Sequence, residues 1–170
     1  MADKLSGFAP IVNRNAQLLI LGSMPSVQSL RCQQYYAHPQ NAFWYIMGKL
    51  YGAEPEREYR HRIDCLHKNN VAVWDVLKHC QRQGSLDSNI KNEEVNDFSG
   101  FISQYPQLRK IGFNGQKAFQ IFDRQVLKVT ANLFSHLELI QLPSTSPANA
   151  TLKKQQKYRL LKKALMTLIL

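Results

Sequence analysis

The sequence predicts an α/β fold: one domain over residues 1–170, built on a four-stranded, mainly parallel sheet with helices on both faces. Three observations predict it. Short apolar runs of strand length recur at residues 18–21, 71–74, 108–113 and 137–142. Stretches with apolar residues at helical spacing lie between and after them. Three of the runs, the first, third and fourth, open into polar turn residues rather than into more apolar sequence. Strands that alternate with helices form parallel sheets with right-handed crossovers.

Residues 8–17 read as an entry loop, with Pro10 and Asn15 as turn residues. Leu18-Leu19-Ile20-Leu21 is a buried strand that stops at Gly22-Ser23. Residues 41–51 read as a helix ended by Gly52 and Pro55, and residues 56–68 as a second, strongly charged helix. Val71-Ala72-Val73-Trp74 is a β-rich run and hence a second strand. Residues 78–90 are polar and contain Gly84, which predicts loop. Residues 92–104 read as helix, with Val95, Phe98 and Ile102 at helical spacing. The third strand, 108–113, runs into Asn114-Gly115 and a helix over 116–123. The fourth, 137–142, precedes a closing helix over 151–168, whose apolar stripe is Leu152, Leu160, Leu161, Ala164, Leu165 and Leu168.

Composition narrows the function classes. Lys and Arg number 22 against 12 acids, a formal charge of +10, which points to a polyanionic partner, most simply nucleic acid. Cys32, Cys65 and Cys80 form no Cys-x-x-Cys, which argues against a zinc knuckle or an iron–sulfur cluster. They read as reduced thiols of a cytoplasmic protein. No metal site is expected. Residues 1–10 carry Asp3 and Lys4 and lack an apolar run, so no secretory signal is expected. The apolar tail at 165–170 is too short, and too close to Lys162 and Lys163, to span a membrane. A monomer is expected. No P-loop or dinucleotide fingerprint supports a nucleotide enzyme.

Ligands of open parallel sheets bind outside the carboxyl ends of the strands. Two polar loops fall there. One is Gly22-Ser23-Met24-Pro25-Ser26, followed by Tyr35-Tyr36-Ala37-His38-Pro39-Gln40-Asn41-Ala42-Phe43-Trp44; the other is Leu142-Pro143-Ser144-Thr145-Ser146-Pro147-Ala148-Asn149. Their Ser, Asn, Pro and aromatic residues suit a flat, polar ligand. Together with Phe113-Asn114-Gly115 and Gly84-Ser85-Leu86-Asp87-Ser88-Asn89, they resemble the uracil-DNA glycosylase superfamily, and within it the hypoxanthine-DNA glycosylase branch. The resemblance spans nearly the whole chain in the same order, and the first motif is its specific part. It implies a DNA repair enzyme that flips a deaminated base out of the duplex and hydrolyses its glycosidic bond, leaving an abasic site. Hypoxanthine is the implied base, with uracil or xanthine as the nearest variants. The implied partner is DNA carrying that base, and no cofactor is implied.

Residue roles follow from the resemblance and are weighed against ordinary structural ones. Tyr36 is placed to stack on the base; otherwise it is a core aromatic beneath its loop. Asn114 offers a donor and an acceptor to a base edge, although Asn-Gly is equally a turn pair; the residues alone leave the two even, and the resemblance favours the base. Relatives with Gly-x-Asn-Pro or Gly-x-Asp-Pro use that Asn or Asp to position or activate water. Met24 holds that place here, so Asn41 is the catalytic candidate, or else a helix cap. Gly22, Ser23 and Met24 are expected around the base. Pro25, Ser26, His38, Ser144, Thr145, Ser146, Asn149 and Lys153 are expected on the DNA side, with a loop-holding role ranked first for His38. Asp75 and Asp87 read as activating water or tying a loop, the latter favoured. Lys153, Lys154, Lys157, Lys162 and Lys163 read as a solvated face that touches the backbone near the helix start. No large apolar wedge occurs in residues 144–150, and no Lys in these motifs suggests a Schiff base. The rivals are a binding module that lost its chemistry, which Met24 keeps open, and a nucleoside enzyme.

Overall fold

In the computed structural model, which describes residues 2–166, the apolar runs pair as a parallel sheet. In chain order the strands are β1 (Lys4–Ser6), β2 (Leu18–Gly22), β3 (Val71–Asp75), β4 (Leu77–Gln81), β5 (Lys91–Val95), β6 (Lys110–Asn114) and β7 (Glu138–Leu142). The parallel sheet has the order β3-β2-β6-β7. β2, β3 and β6 are buried along their whole length, as strands covered on both faces must be, whereas β7 is an edge with only Leu142 buried. The helices are α1 (Val27–Cys32), α2 (Phe43–Tyr51), α3 (Tyr59–Lys68), α4 (Phe98–Gln104), α5 (Gln116–Phe122), α6 (Lys128–Thr130) and α7 (Lys154–Leu165). A π-helical turn over Asp123–Leu127 joins α5 to α6.

Register decides where the chemistry sits. Gly22 lies opposite Asp75, and Asn114 opposite Leu142, so the polar ends of all four strands emerge at one edge. Phe113 packs edge-to-face on Phe119, and Phe98 and Phe134 pack likewise on Phe122; elsewhere in the core Phe43 meets Trp44 in the same way. These rings give the strand ends a stiff base.

Several expectations are corrected. The stretch 78–90, expected as loop, contains most of β4, which joins β1 and β5 in a second, antiparallel, three-stranded sheet. Register shifts at His79 break the two-residue alternation that would have revealed it. The expected helix over 92–104 begins as strand β5, and only α4 is helical. Asp97 caps α4 by accepting from the Gly100 amide at 2.9 Å. Val95 therefore belongs to the strand, opposite Leu77, and its spacing from Phe98 is coincidental. β5 carries few apolar residues; Glu93 anchors it through ion pairs with Lys117 and Arg124. The short helix α1, capped by Ser26, was not foreseen.

The closing helix starts at Lys154 rather than Thr151, and Leu168 lies outside the described residues. Its buried stripe is Lys157, Leu161 and Leu165, spaced by four, while Leu160 is exposed. Lys157 thus leaves the expected solvated face, and its ammonium donates to the Ser146 carbonyl at 2.9 Å. All three cysteines are free thiols. Among the described residues, no helix is long and apolar enough to cross a membrane.

Candidate active site at the carboxyl edge of the sheet

A cavity of about 300 Å³ opens where β2, β3, β6 and β7 end. Gly22, Ser23, Met24, Pro25 and Ser26 form one wall, and Ser144, Thr145, Ser146 and Asn149 form another. Tyr36, Asn41 and Asn114 also line it, so residues from distant parts of the sequence meet in one hollow. His38 and Lys153 stand outside. The His38 carbonyl accepts from the Asn41 amide at 2.9 Å and its Nδ1 faces the Gln40 amide at 3.2 Å, so it shapes the turn that presents Asn41. Lys153 is exposed at the start of α7.

The close packing at Gly22 needs glycine. A Cβ there would fall 2.5 Å from Asp75 Oδ1 and 2.9 Å from the Tyr36 hydroxyl. Carboxyl and phenol therefore converge on bare backbone. Tyr36 itself sits at φ 52°, an uncommon left-handed conformation for an aromatic residue. One face of its ring stacks on Phe43 at 3.9 Å and 19°. Burial, reinforced by Asp75, pushes its hydroxyl well above the ordinary phenol range, so it stays neutral.

Asn41 is not itself the cap of α2, a place held by Ala42, but it shapes the turn just before that helix. Its side-chain oxygen accepts from the Phe43 amide at 2.9 Å, an Asx turn that leads into α2, and the residue also lines the cavity. Thr145 connects the walls. It is fully buried, its carbonyl accepts from the Ala42 amide at 3.0 Å, and its amide donates to Asn114 Oδ1 at 2.9 Å. Its hydroxyl accepts from Asn114 Nδ2, also at 2.9 Å. Enclosed in this way, the Thr145 side chain braces Asn114 instead of facing outward on the DNA side where it was expected. The bidentate clamp fixes which end of the Asn114 amide donates and which accepts, leaving one N–H and one lone pair for a ligand.

Charge gathers on the side opposite the clamp. Asp75 ends β3, is 3% exposed, and its Oδ2 has no hydrogen-bond partner. Burial, with a smaller push from Asp87, raises its carboxyl to about 7, against a counter-pull from Arg82. Asp87 accepts from the Ser23 hydroxyl at 2.6 Å. Arg82 is buried, donating to the Pro25 and Gly84 carbonyls at 2.6 and 2.7 Å. It pins the first motif to the loop that carries Asp87. Sequence reasoning ranked Asp75 and Asp87 as structural and missed Arg82. The available signal was a lone acid closing the apolar run Val-Ala-Val-Trp-Asp; Arg82, in a polar stretch, had none.

The fold agrees with comparisons across known proteins. The model of the Uracil DNA glycosylase superfamily matches residues 9–168. The Hypoxanthine DNA glycosylase of Methanosarcina barkeri (strain Fusaro / DSM 804) is 40% identical over 116 residues, which is 68% of this chain and 73% of that protein. The Hypoxanthine DNA glycosylase of Methanosarcina acetivorans is 45% identical over 113 residues, 66% of this chain and 72% of its own. A solution NMR structure from Methanosarcina acetivorans, described as a candidate uracil DNA glycosylase, is 38% identical, with a TM-score of 0.76 over 93% of this chain and 94% of that one. Since the match runs through all the strands whose ends build the cavity, the chain belongs to the uracil DNA glycosylase superfamily.

Proposed function

We propose that this protein is a monofunctional DNA glycosylase that removes hypoxanthine from DNA and leaves an abasic site. The observation that carries the reading is the meeting of Tyr36, Asn41, Asn114 and Asp75 in one cavity at the small end of the size range for ligand sites. A flipped nucleobase stacks on Tyr36. Asn41 holds the water that attacks C1′. As the C1′–N9 bond breaks, its electron pair goes to the base, hydroxide oxygen joins C1′, and the water's second proton is carried to the departing base. Asp75, protonated near neutrality, donates a hydrogen bond toward that base and offsets its developing charge.

The clamped amide supports hypoxanthine over adenine. Hypoxanthine presents an N–H donor beside a carbonyl acceptor, whereas adenine presents the reverse pair. An amide free to turn reads both; one held by Thr145 reads one. Thr145→Val removes the hydroxyl acceptor while keeping the volume. It is expected to cost about 1–2 kcal/mol of stability, read as a lower melting temperature, and to reduce discrimination against adenine in competition binding.

Outside the cavity, exposed Lys153 and Lys154 at the start of α7 contact phosphate, which makes binding steeply salt-dependent. The protein acts as a monomer in the cytoplasm. The deciding experiment is incubation with labelled duplexes that carry one hypoxanthine, uracil or xanthine, followed by buffer or hot alkali. Alkali-dependent breakage, fastest at hypoxanthine, is the expected result. Intact strands despite DNA binding would return the protein to the silent binding module that Met24 suggests.

A further inference from the structure

Taking a base out of a duplex costs its stacking and leaves a gap, and proteins that work from the minor groove frequently insert an apolar side chain between base steps. The second polar loop, residues 144–149, holds Ser, Thr, Ser, Pro, Ala and Asn, and none is a large apolar group. A wedge must then come from elsewhere on the rim. Among the described residues, large apolar side chains are exposed at Leu86, Val129, Leu133, Leu160 and Met166, and of these Leu86 alone lines the cavity. It is 53% exposed.

The loop that carries Leu86 is braced far more than an idle surface loop requires. The Ser85 hydroxyl accepts from the Val27 amide at 2.9 Å, and Arg82 holds the Gly84 carbonyl. Asp87 is held by Ser23, and the Leu86 carbonyl accepts from the Asn89 amide at 3.0 Å. Neighbours on both sides are therefore fixed at or beside the first motif, while the leucine side chain stays exposed at the cavity. A rigid apolar side chain at the mouth loses little freedom on insertion.

We propose that Leu86 is the wedge: it enters the duplex and fills the space left by the flipped nucleotide. The proposal rests on the base-flipping reading above. Two duplexes test it under single turnover, one with hypoxanthine paired to cytosine and one with hypoxanthine inside a short mismatched bubble. Leu86→Ala is expected to slow cleavage of the paired site at least about tenfold and the bubble by less than about twofold, because only the paired site must be forced open. Leu86→Met restores the paired rate. Melting temperatures of both variants stay near that of the original, since the trimmed group is exposed. An equal loss on both duplexes would make Leu86 a cover over the base and overturn the wedge, as would an unchanged paired rate. If the unaltered protein cleaves neither duplex, the glycosylase reading falls and takes the wedge with it. If it cleaves both and Leu86→Ala changes nothing, the wedge falls alone.

Discussion

Asn41→Ala is expected to lower single-turnover base release on the order of 10³-fold while DNA affinity changes by less than about threefold. The size follows from the proposed division of labour. Tyr36, Asn114 and the phosphate contacts bind the flipped nucleotide in ground and transition state alike, whereas a held water matters only as C1′ becomes electrophilic. The Asn41 oxygen already accepts from the Phe43 amide. Its second lone pair and its amide N–H groups are what remain for water. Truncation to Ala also removes that turn contact, worth about 1 kcal/mol, so a control must keep it. Asn41→Asp does: one carboxylate oxygen can accept from Phe43 and the other from water. It is expected to retain far more activity than Asn41→Ala. Full activity in Asn41→Ala would move the water to Asp75.

The parallel sheet was legible because β2, β3 and β6 are buried along their whole length, and continuous apolar runs such as Leu18-Leu19-Ile20-Leu21 need no partner to be recognised. The antiparallel sheet was not. Lys91-Asn92-Glu93-Glu94-Val95 lacks an apolar face, and its place is set by ion pairs from α5 and the turn beyond it, which no local pattern records. A similar divide runs through the site. Tyr36, Asn41 and Asn114 stood out in motifs that each follow a strand end or open a helix. The second set of interactions was hidden. Arg82 and Lys157 are enclosed by contacts with the carbonyls of Pro25 and Ser146, and polar stretches give no sign of which charges will be enclosed. Thr145 was placed in the right loop on the DNA side, but a Ser-Thr-Ser run gives no sign that its middle residue is buried in the Asn114 clamp.

Asp75→Asn separates protonation from shape. In the folded protein burial holds the carboxyl neutral up to about 7, with Asp87 adding to the effect and Arg82 opposing it, whereas an exposed Asp ionises near 3.9. If the neutral acid is what steadies the departing base, single-turnover rates form a plateau below pH 7 and fall about tenfold per unit above it, about 100-fold by pH 9. The Asn variant keeps a donor of the same shape that does not ionise, so its profile is expected to be flat from pH 6 to 9. Stability moves in a linked way. Between pH 4 and 7 the fold binds a proton that the unfolded chain has released, so stability contributed by this group declines as pH rises. By pH 8 the ionised, buried carboxylate costs on the order of 4 kcal/mol relative to a group that never ionises. Asp75→Asn should therefore melt at nearly the temperature of the original at pH 4 and well above it at pH 8. A rate that rises through pH 7 would instead make the carboxylate the active form, with Asp75 accepting a proton from water. A wild-type profile as flat as the variant's would remove Asp75 from the chemistry and leave it as a buried acid beside Arg82.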